Sequence, residues 1–391
     1  MLYVLCTEDV VNNLRVNEIL FSNIFQRFST ALIINIKIGE KANFNNKVKS
    51  ISLPNGTWVK VINVYSLSYL FSLLNNKVVA ISMLSHEAKD WSVFFLLRIT
   101  GTPLIYIINS STIVTINNKY KKGDNRSIKS IIKTLLLRTL PSIVYVILTR
   151  IGFLQKLDTV YVSNKLDYLQ FKKKKQYKRV VLVNSKSYDY FLEDDKKVYE
   201  EKHITFVDSM LPYHQDQVEC GFKIIDRKRY YDSLDMLFTQ LEVFFNLNVV
   251  ICAHPQYKME NSETDFGERI VIKGQTDDYI KKSKFVIFHE SSAINTAIVY
   301  NKNVIQILSG SFNQFINDTC EVWRKSFDFN SVDLDNYSVN KFNKLFNYRD
   351  KQEENLRKKF TEDNLISSGE KGVSGHSQII KDMVTHYKER L

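Results

Sequence analysis

Residues 248–257 read NVVICAHPQY, and residues 284–297 read KFVIFHESSAINTA. Each opens on an unbroken apolar run of strand length and stops on a polar cluster. Continuous rather than alternating hydrophobicity marks a strand buried on both faces, as in a parallel sheet. In open parallel sheets, ligands gather at the carboxyl ends of the strands. His254 and Pro255 stand at one such end, and His289, Ser291 and Ser292 at the other. If a helix starts near Ser292, Ser291 is a natural N-cap, and the first amides face an anion with the positive end of the helix dipole behind them. Pro255 stiffens the chain leaving the strand. A histidine there can donate to a phosphate oxygen. Each feature has a plainer use, since serine caps helices generally and a lone histidine is often a structural hydrogen-bonder. The two together point to a phosphate-bearing ligand.

Working outward, FVDSMLPYHQD (206–216) follows another apolar strand and sets Asp208, His214 and Asp216 beside those two ends. A carboxylate there can take a proton from an acceptor hydroxyl, or simply cap the next element. AISMLSHEAKDW (80–91) offers His86, Glu87 and Asp90 after a strand of an earlier series. That series runs through MLYVLC, TALIINIKI, WVKVINVY, KVVAISML and PLIYIIN, with helical spacing between some of them. Strands alternating with helices predict an α/β fold. The expected architecture is two Rossmann-like domains facing across a cleft, the plan called GT-B. Residues 1–165 form the first domain, 166–340 the second, and 341–391 a charged helical tail. The strand VVLVNS, after the lysine-dense FKKKKQYKR, is read as restarting the pattern in the second domain.

The chain has 391 residues, 44% of them hydrophobic, and a formal charge of +12. That excess calls for an anionic partner. Zinc-finger spacing, RNP-like motifs and a compact helix-turn-helix are missing from the sequence, so no nucleic-acid partner is expected. Cys6, Cys220, Cys252 and Cys320 are scattered without a C-x-x-C pair. They fit buried apolar roles in a reducing compartment, not a disulfide framework or a zinc site. MLYVLCTEDV lacks the basic start of a signal peptide and reads as a buried first strand. Residues 126–156 are apolar but carry Arg126, Lys129, Lys133, Arg138, Arg150 and Lys156, with Pro141 interrupting. The uncharged piece falls short of the ~20 residues of a spanning helix. It is either an interdomain helix pair or a basic amphipathic surface for an anionic membrane.

About a quarter of the chain, roughly residues 200–310, resembles the bacterial surface-carbohydrate glycosyltransferases of GT-B type. The nearest comparison is with bacterial sialyltransferases and the related Kdo and polysialic acid transferases. Their HP motif matches His254 and Pro255, and their Ser-Ser motif matches Ser291 and Ser292. The resemblance implies that these residues bind the CMP part of a CMP-sugar donor, with the histidine and serines at the leaving phosphate; His289 and His214 join the donor-binding set. Such families also use an acidic base, often in an acidic-acidic-Gly motif. This chain has none well placed, so Asp208, Glu87 and Asp216 are the candidates. The function expected from this resemblance is an inverting, metal-independent and cofactor-free transfer of a sialic-acid-type (nonulosonate) sugar. The expected acceptor is a lipid-linked oligosaccharide of lipopolysaccharide O-antigen or capsule, on the inner face of the cytoplasmic membrane. The alternatives are the same fold with CMP-Kdo, a UDP- or GDP-sugar or CDP-glycerol, or a non-catalytic polyanion-binding protein.

Overall fold

The first apolar run becomes strand β1 (Leu2–Cys6), buried at every position. Its side chains alternate between two cores. Leu2, Val4 and Cys6 join one hydrophobic cluster, and Tyr3 and Leu5 the other. A strand with apolar residues at both parities is stable only when helices cover both sheet faces. The computed structural model describes all residues except 7–17, 29, 39–47, 53–55, 85–89, 109–139, 174–176, 195–197, 214–216, 218–221, 328–329 and 348–350. Two compact units emerge: the described residues up to Leu192 with Ile366–Leu391, and Glu193–Leu365.

The first unit holds an eight-stranded sheet of order β3-β4-β2-β1-β5-β6-β7-β8. Its strands are β1, β2 (Leu32–Ile36), β3 (Lys49–Ser52), β4 (Trp58–Val64), β5 (Val79–Ser82), β6 (Leu104–Ile108), β7 (Leu157–Val162) and β8 (Tyr177–Leu182). All pairings are parallel except that of the edge strand β3 with β4. Helix α1 (Glu18–Arg27) supplies Leu20, Phe21, Ile24 and Phe25 to one face. Helices α2 (Leu67–Leu74) and α3 (Trp91–Ile99) cover the other, with Tyr145 and Leu148 of α4 (Leu140–Arg150) packed beside them. Helices α5 (Lys165–Lys173) and α6 (Lys186–Glu193) complete the run before the chain enters the second unit.

The boundary expected at residue 165 is therefore misplaced. The strand of VVLVNS is β8, which extends the first sheet by pairing with β7, Val160 opposite Val180. An apolar parallel strand carries no local mark of which sheet edge it joins; that choice is made by long-range pairing.

The second unit is a six-stranded sheet of order β11-β10-β9-β12-β13-β14. Its strands are β9 (His203–Val207), β10 (Val249–Ala253), β11 (Val271–Lys273), β12 (Ser283–Phe288), β13 (Asn303–Leu308) and β14 (Ser331–Asp333), all paired in parallel. Counting β9 as strand 1, the order is 3-2-1-4-5-6, that of the dinucleotide-binding Rossmann fold. Helix α7 (Arg227–Phe245) starts at Asp226, whose side chain accepts the Arg229 amide at 2.8 Å, and ends at Asn246 in the left-handed region. Helices α8 (Thr276–Lys281), α9 (Ile294–Val299), α10 (Gln314–Phe327), α11 (Phe342–Asn347) and α12 (Lys351–Phe360) follow.

The expected tail at 341–391 divides. Residues through Leu365 belong to the second unit, and Ile366–Leu391 belong to the first. There α13 (Gly375–His386) inserts Ile379 and Met383, with Tyr387 just beyond, into the cluster that also contains β1 and α1. Asn184, two residues past β8, holds this return. Its amide nitrogen donates to the carbonyls of Glu370 and Val373, both at 2.8 Å, and its own N–H reaches Gln378 Oε1 at 2.8 Å. Asp189 accepts the amides of Gly375 and His376 at the helix start.

Candidate functional site

In a 3-2-1-4-5-6 sheet the chain leaves strands 1 and 4 in opposite senses, opening a crevice at their carboxyl ends. Here these are β9 and β12, and β10 lies on the other side of β9. The His-Pro end of β10 and the Ser-Ser end of β12 therefore stand two strand spacings apart, roughly 10 Å. Three loops are tied together at this edge. The Asp208 amide donates to Cys252 O at 3.0 Å, prolonging the β9–β10 ladder by one residue. Ser209 Oγ donates to Glu290 O at 2.5 Å, fastening the β9 loop to the β12 loop. Met210 turns the chain at φ 53°.

The His254 turn is closed by the Tyr257 amide donating to His254 O at 2.8 Å. Pro255 is exposed in its corner, where its fixed φ suits a turn. His254 is half-buried, and its Nδ1 accepts the Gln256 amide at 3.2 Å. An accepting Nδ1 leaves Nε2 as the ring's N–H in the neutral form. Beneath the turn, Tyr257 is buried and donates from its hydroxyl to Asp265 Oδ2 at 2.8 Å. Asp265 also receives the Tyr213 hydroxyl at 3.0 Å and Arg227 at 2.7 and 2.9 Å. One buried carboxylate thus anchors the loops after β9 and β10 to the start of α7. Nothing in the sequence singled out Asp265, because its partners lie up to 52 residues away.

The Ser-Ser end differs from the expected N-cap. Helix α9 begins at Ile294, with Ala293 as the capping residue and no side-chain cap. Ser291 instead opens a tight turn, its Oγ accepting the Ala293 amide at 3.3 Å. The amides of Ile294, Asn295 and Thr296 are already bonded to the carbonyls of residues 291–293. With those donors used, and with α9 only six residues long, the serine hydroxyls rather than a helix dipole are the groups able to meet an anion. Ser292 is exposed and Ser291 half-buried.

His289 is fully buried, so it is not a donor-contacting residue as expected. Its Nδ1 lies 3.2 Å from Ile307 O and its Nε2 2.7 Å from the Tyr230 hydroxyl. The carbonyl can only accept, so Nδ1 carries the proton and Nε2 accepts from the tyrosine. Burial lowers its pKa from 6.5 to about 4, and the neutral ring acts as a strut under the serine turn.

Asp208 stands between the two turns and is 3% exposed. Its Oδ1 accepts the Met210 amide at 2.9 Å, while Oδ2 is buried without a hydrogen-bond partner among the described residues. Burial pushes its carboxyl from 3.8 to about 7; the Met210 amide opposes the rise, the Asp265 carboxylate adds to it, and the His254 amide opposes it. A carboxyl that holds its proton longer folded than unfolded costs stability as pH rises between those two values. Asp208→Asn should therefore gain stability relative to wild type between about pH 3.8 and pH 7, with a constant difference above. His289 works in the opposite sense, its contribution falling as pH drops from 6.5 towards 4, and the comparison with Asp208→Asn cancels it. Urea unfolding across this range measures the slope. Parallel curves for the two proteins would mean that Asp208 titrates normally.

His86, Glu87, His214 and Asp216 lie outside the described residues. Asp90 is described and is 1% exposed. In the first unit, Leu20, Phe21, Ile81, Ser82, Met83, Leu84, Tyr106 and Ile107 line a cavity of about 160 Å³ at the carboxyl ends of β5 and β6. Among the described residues, no group of three or more His, Cys, Asp or Glu is placed to hold a metal ion.

Comparison with known proteins places this geometry in a fold. The sequence matches no protein-family model, and no curated protein matches it. Among solved structures, apo UGT2 of Phytolacca americana aligns over 99% of this chain and 99% of its own, at 10% identity and TM-score 0.51. A putative UDP-N-acetylglucosamine 2-epimerase from Listeria monocytogenes aligns over 99% of this chain and 97% of its own, again at 10% identity and TM-score 0.51. The fold is of the GT-B type. Both of its Rossmann-like units were expected from the strand pattern; their limits were not.

Proposed function

We propose that the protein is a GT-B glycosyltransferase that transfers a nonulosonate sugar from a CMP donor to a lipid-linked surface glycan. The observation that carries the reading is the strand order β10-β9-β12, which sets the His254 turn and the Ser291–Ser292 turn on either side of one strand at a topological switch point. A nucleotide phosphate between them meets the Nε2 donor of His254 and the serine hydroxyls. In an inverting transfer the acceptor oxygen attacks the anomeric carbon while the bond from that carbon to the phosphate oxygen breaks. The departing CMP takes the electron pair, and a carboxylate takes the acceptor proton. His254 and the serines stabilise the negative charge that grows on the phosphate. Burial keeps Asp208 from an acceptor hydroxyl while the two turns hold this shape, so its part is to position them. The proton acceptor then falls to Glu87 or Asp216.

A second reading keeps the same chemistry with a UDP-sugar donor. It is favoured by the likeness to a protein named for UDP-N-acetylglucosamine. A thermal-shift panel separates the two, because a ligand that binds only the folded state raises its melting temperature. Selective stabilisation by CMP, with hydrolysis of CMP-sialic acid seen by mass spectrometry, supports the first reading. Selective stabilisation by UDP overturns it in favour of the second, and a response to polyanions alone removes both.

Ser292→Ala should weaken CMP binding roughly tenfold or more, the worth of one hydrogen bond to a charged group. It should leave stability nearly unchanged, because Ala293 rather than Ser292 caps α9. Ser291→Ala should do the same to affinity and also cost up to about 1 kcal/mol by freeing the Ala293 amide. Isothermal titration with CMP reads both, and unaltered affinity in the two variants would return the serines to a structural role.

A further inference from the structure

Helix α4 is largely apolar, and among the described residues one side of it packs on protein while the other is exposed. Tyr145 and Leu148 face the core of the first unit. On the other side Ile143 is 50% exposed, Ile147 52% and Ile151, just past the helix end, 70%. Their spacing of four residues puts them in one row along the helix. The row continues onto neighbouring chain. Phe153 is half-exposed and stacks on exposed Phe95 of α3, ring centroids 4.8 Å apart. Ile99, one turn on from Phe95, is exposed as well. The Arg98 guanidinium donates from Nε to Gly152 O at 2.9 Å, holding α3 against this turn. Contiguous exposed apolar residues of this kind mark an interaction surface.

The exposed charged side chains on the segments that carry the patch are basic. Arg98 and Arg150 are exposed at its border and Lys156 is half-buried. From Asn125 to Leu157 the sequence contains no acidic residue, and it carries Arg126, Lys129, Lys133 and Arg138 on the approach to α4. Trp91–Thr102 likewise contains no acidic residue. No helix among the described residues is long and apolar enough to cross a membrane. An apolar row carried on segments whose charges are basic has the composition that lies in the interface of an anionic bilayer.

We propose that the face made by α3, α4 and the turn through Phe153 docks on a bilayer with anionic headgroups, the isoleucines and phenylalanines entering the headgroup boundary and the arginines pairing with the lipid charge. The inference does not depend on the donor or on the His254 site. Docking would hold the enzyme where a lipid-linked acceptor resides.

Co-sedimentation of the full chain with vesicles tests it. Binding is expected with phosphatidylglycerol and weak or absent with phosphatidylcholine, and it should fall as salt screens the attraction. Arg150→Gln should lower partition about fivefold. Ile143→Ser with Ile147→Ser should lower it at least tenfold, while CMP-dependent thermal stabilisation stays as in the parent protein. Indifference to phosphatidylglycerol at every ionic strength overturns the proposal. Undiminished binding of the isoleucine variant also overturns it, as does lipid-free self-association that the same substitutions abolish, which would assign the face to a second copy. A protein that binds vesicles but no nucleotide leaves the docking face standing and removes the transferase reading alone.

Discussion

His254→Ala should lower sugar transfer by roughly 10²–10³-fold, the usual cost of removing one donor from the site where charge develops. Stability should hardly change. The ring is half-buried, and its Nδ1 accepts the Gln256 amide, which faces water once the ring is gone. The turn itself survives, because the backbone bond from Tyr257 to His254 O and the Tyr257–Asp265 pair do not involve the imidazole. Turnover of CMP-sialic acid, read beside the melting temperature, separates chemistry from folding. If a folded variant keeps its rate, the histidine has no part in the leaving-group step.

Gly375→Ala should destabilise the first unit by about 3 kcal/mol, an overpacking effect at the upper end of its ordinary range. A Cβ at Gly375 would stand 2.1 Å from the Asn184 carbonyl oxygen and 2.9 Å from its carbon. Those are backbone atoms that cannot swing aside as a flexible side chain would. Any shift also strains the Asn184 and Asp189 bonds that seat α13. For a unit of about 200 residues this corresponds to a melting temperature lower by roughly 6–12 °C. Val373→Ala, at a partly exposed side chain, should move it by no more than about 0.5 kcal/mol. Equal melting of the glycine variant and the parent would show that α13 docks loosely.

Strands were the legible part of this chain, because a strand buried on both faces announces itself as an unbroken apolar run. β1, β9, β10 and β12 stand where those runs predict. The strands that escaped notice are those without such a run: β3, sequence KSIS, and β14, sequence SVD, lie at sheet edges. The sheet to which a strand belongs was not legible either. β8 ends in an apolar run as β9 does, and only its pairing to β7 sets it in the first unit. The polar ends of β10 and β12 were visible because they interrupt apolar runs. Asp265 and Ser209 were not, since each acts through partners distant in sequence. A signal for α13 did exist. Ile379, Met383 and Tyr387 recur every four residues, the mark of a buried helical face, but the charged residues around them suggested a separate helical tail.

That late-placed helix has a consequence for how the protein comes off the ribosome. Among the described residues the second unit runs from Glu193 to Leu365, whereas the first needs Ile366–Leu391 to complete the core around β1. At about 5–20 residues per second, Ile366 is reached roughly 9–35 s after Leu192. During that interval the younger Rossmann unit can finish folding while the older one waits with the seat of α13 uncovered. The sheet of the first unit is thus made before that of the second and closed after it, and that interval is when a chaperone has most to protect.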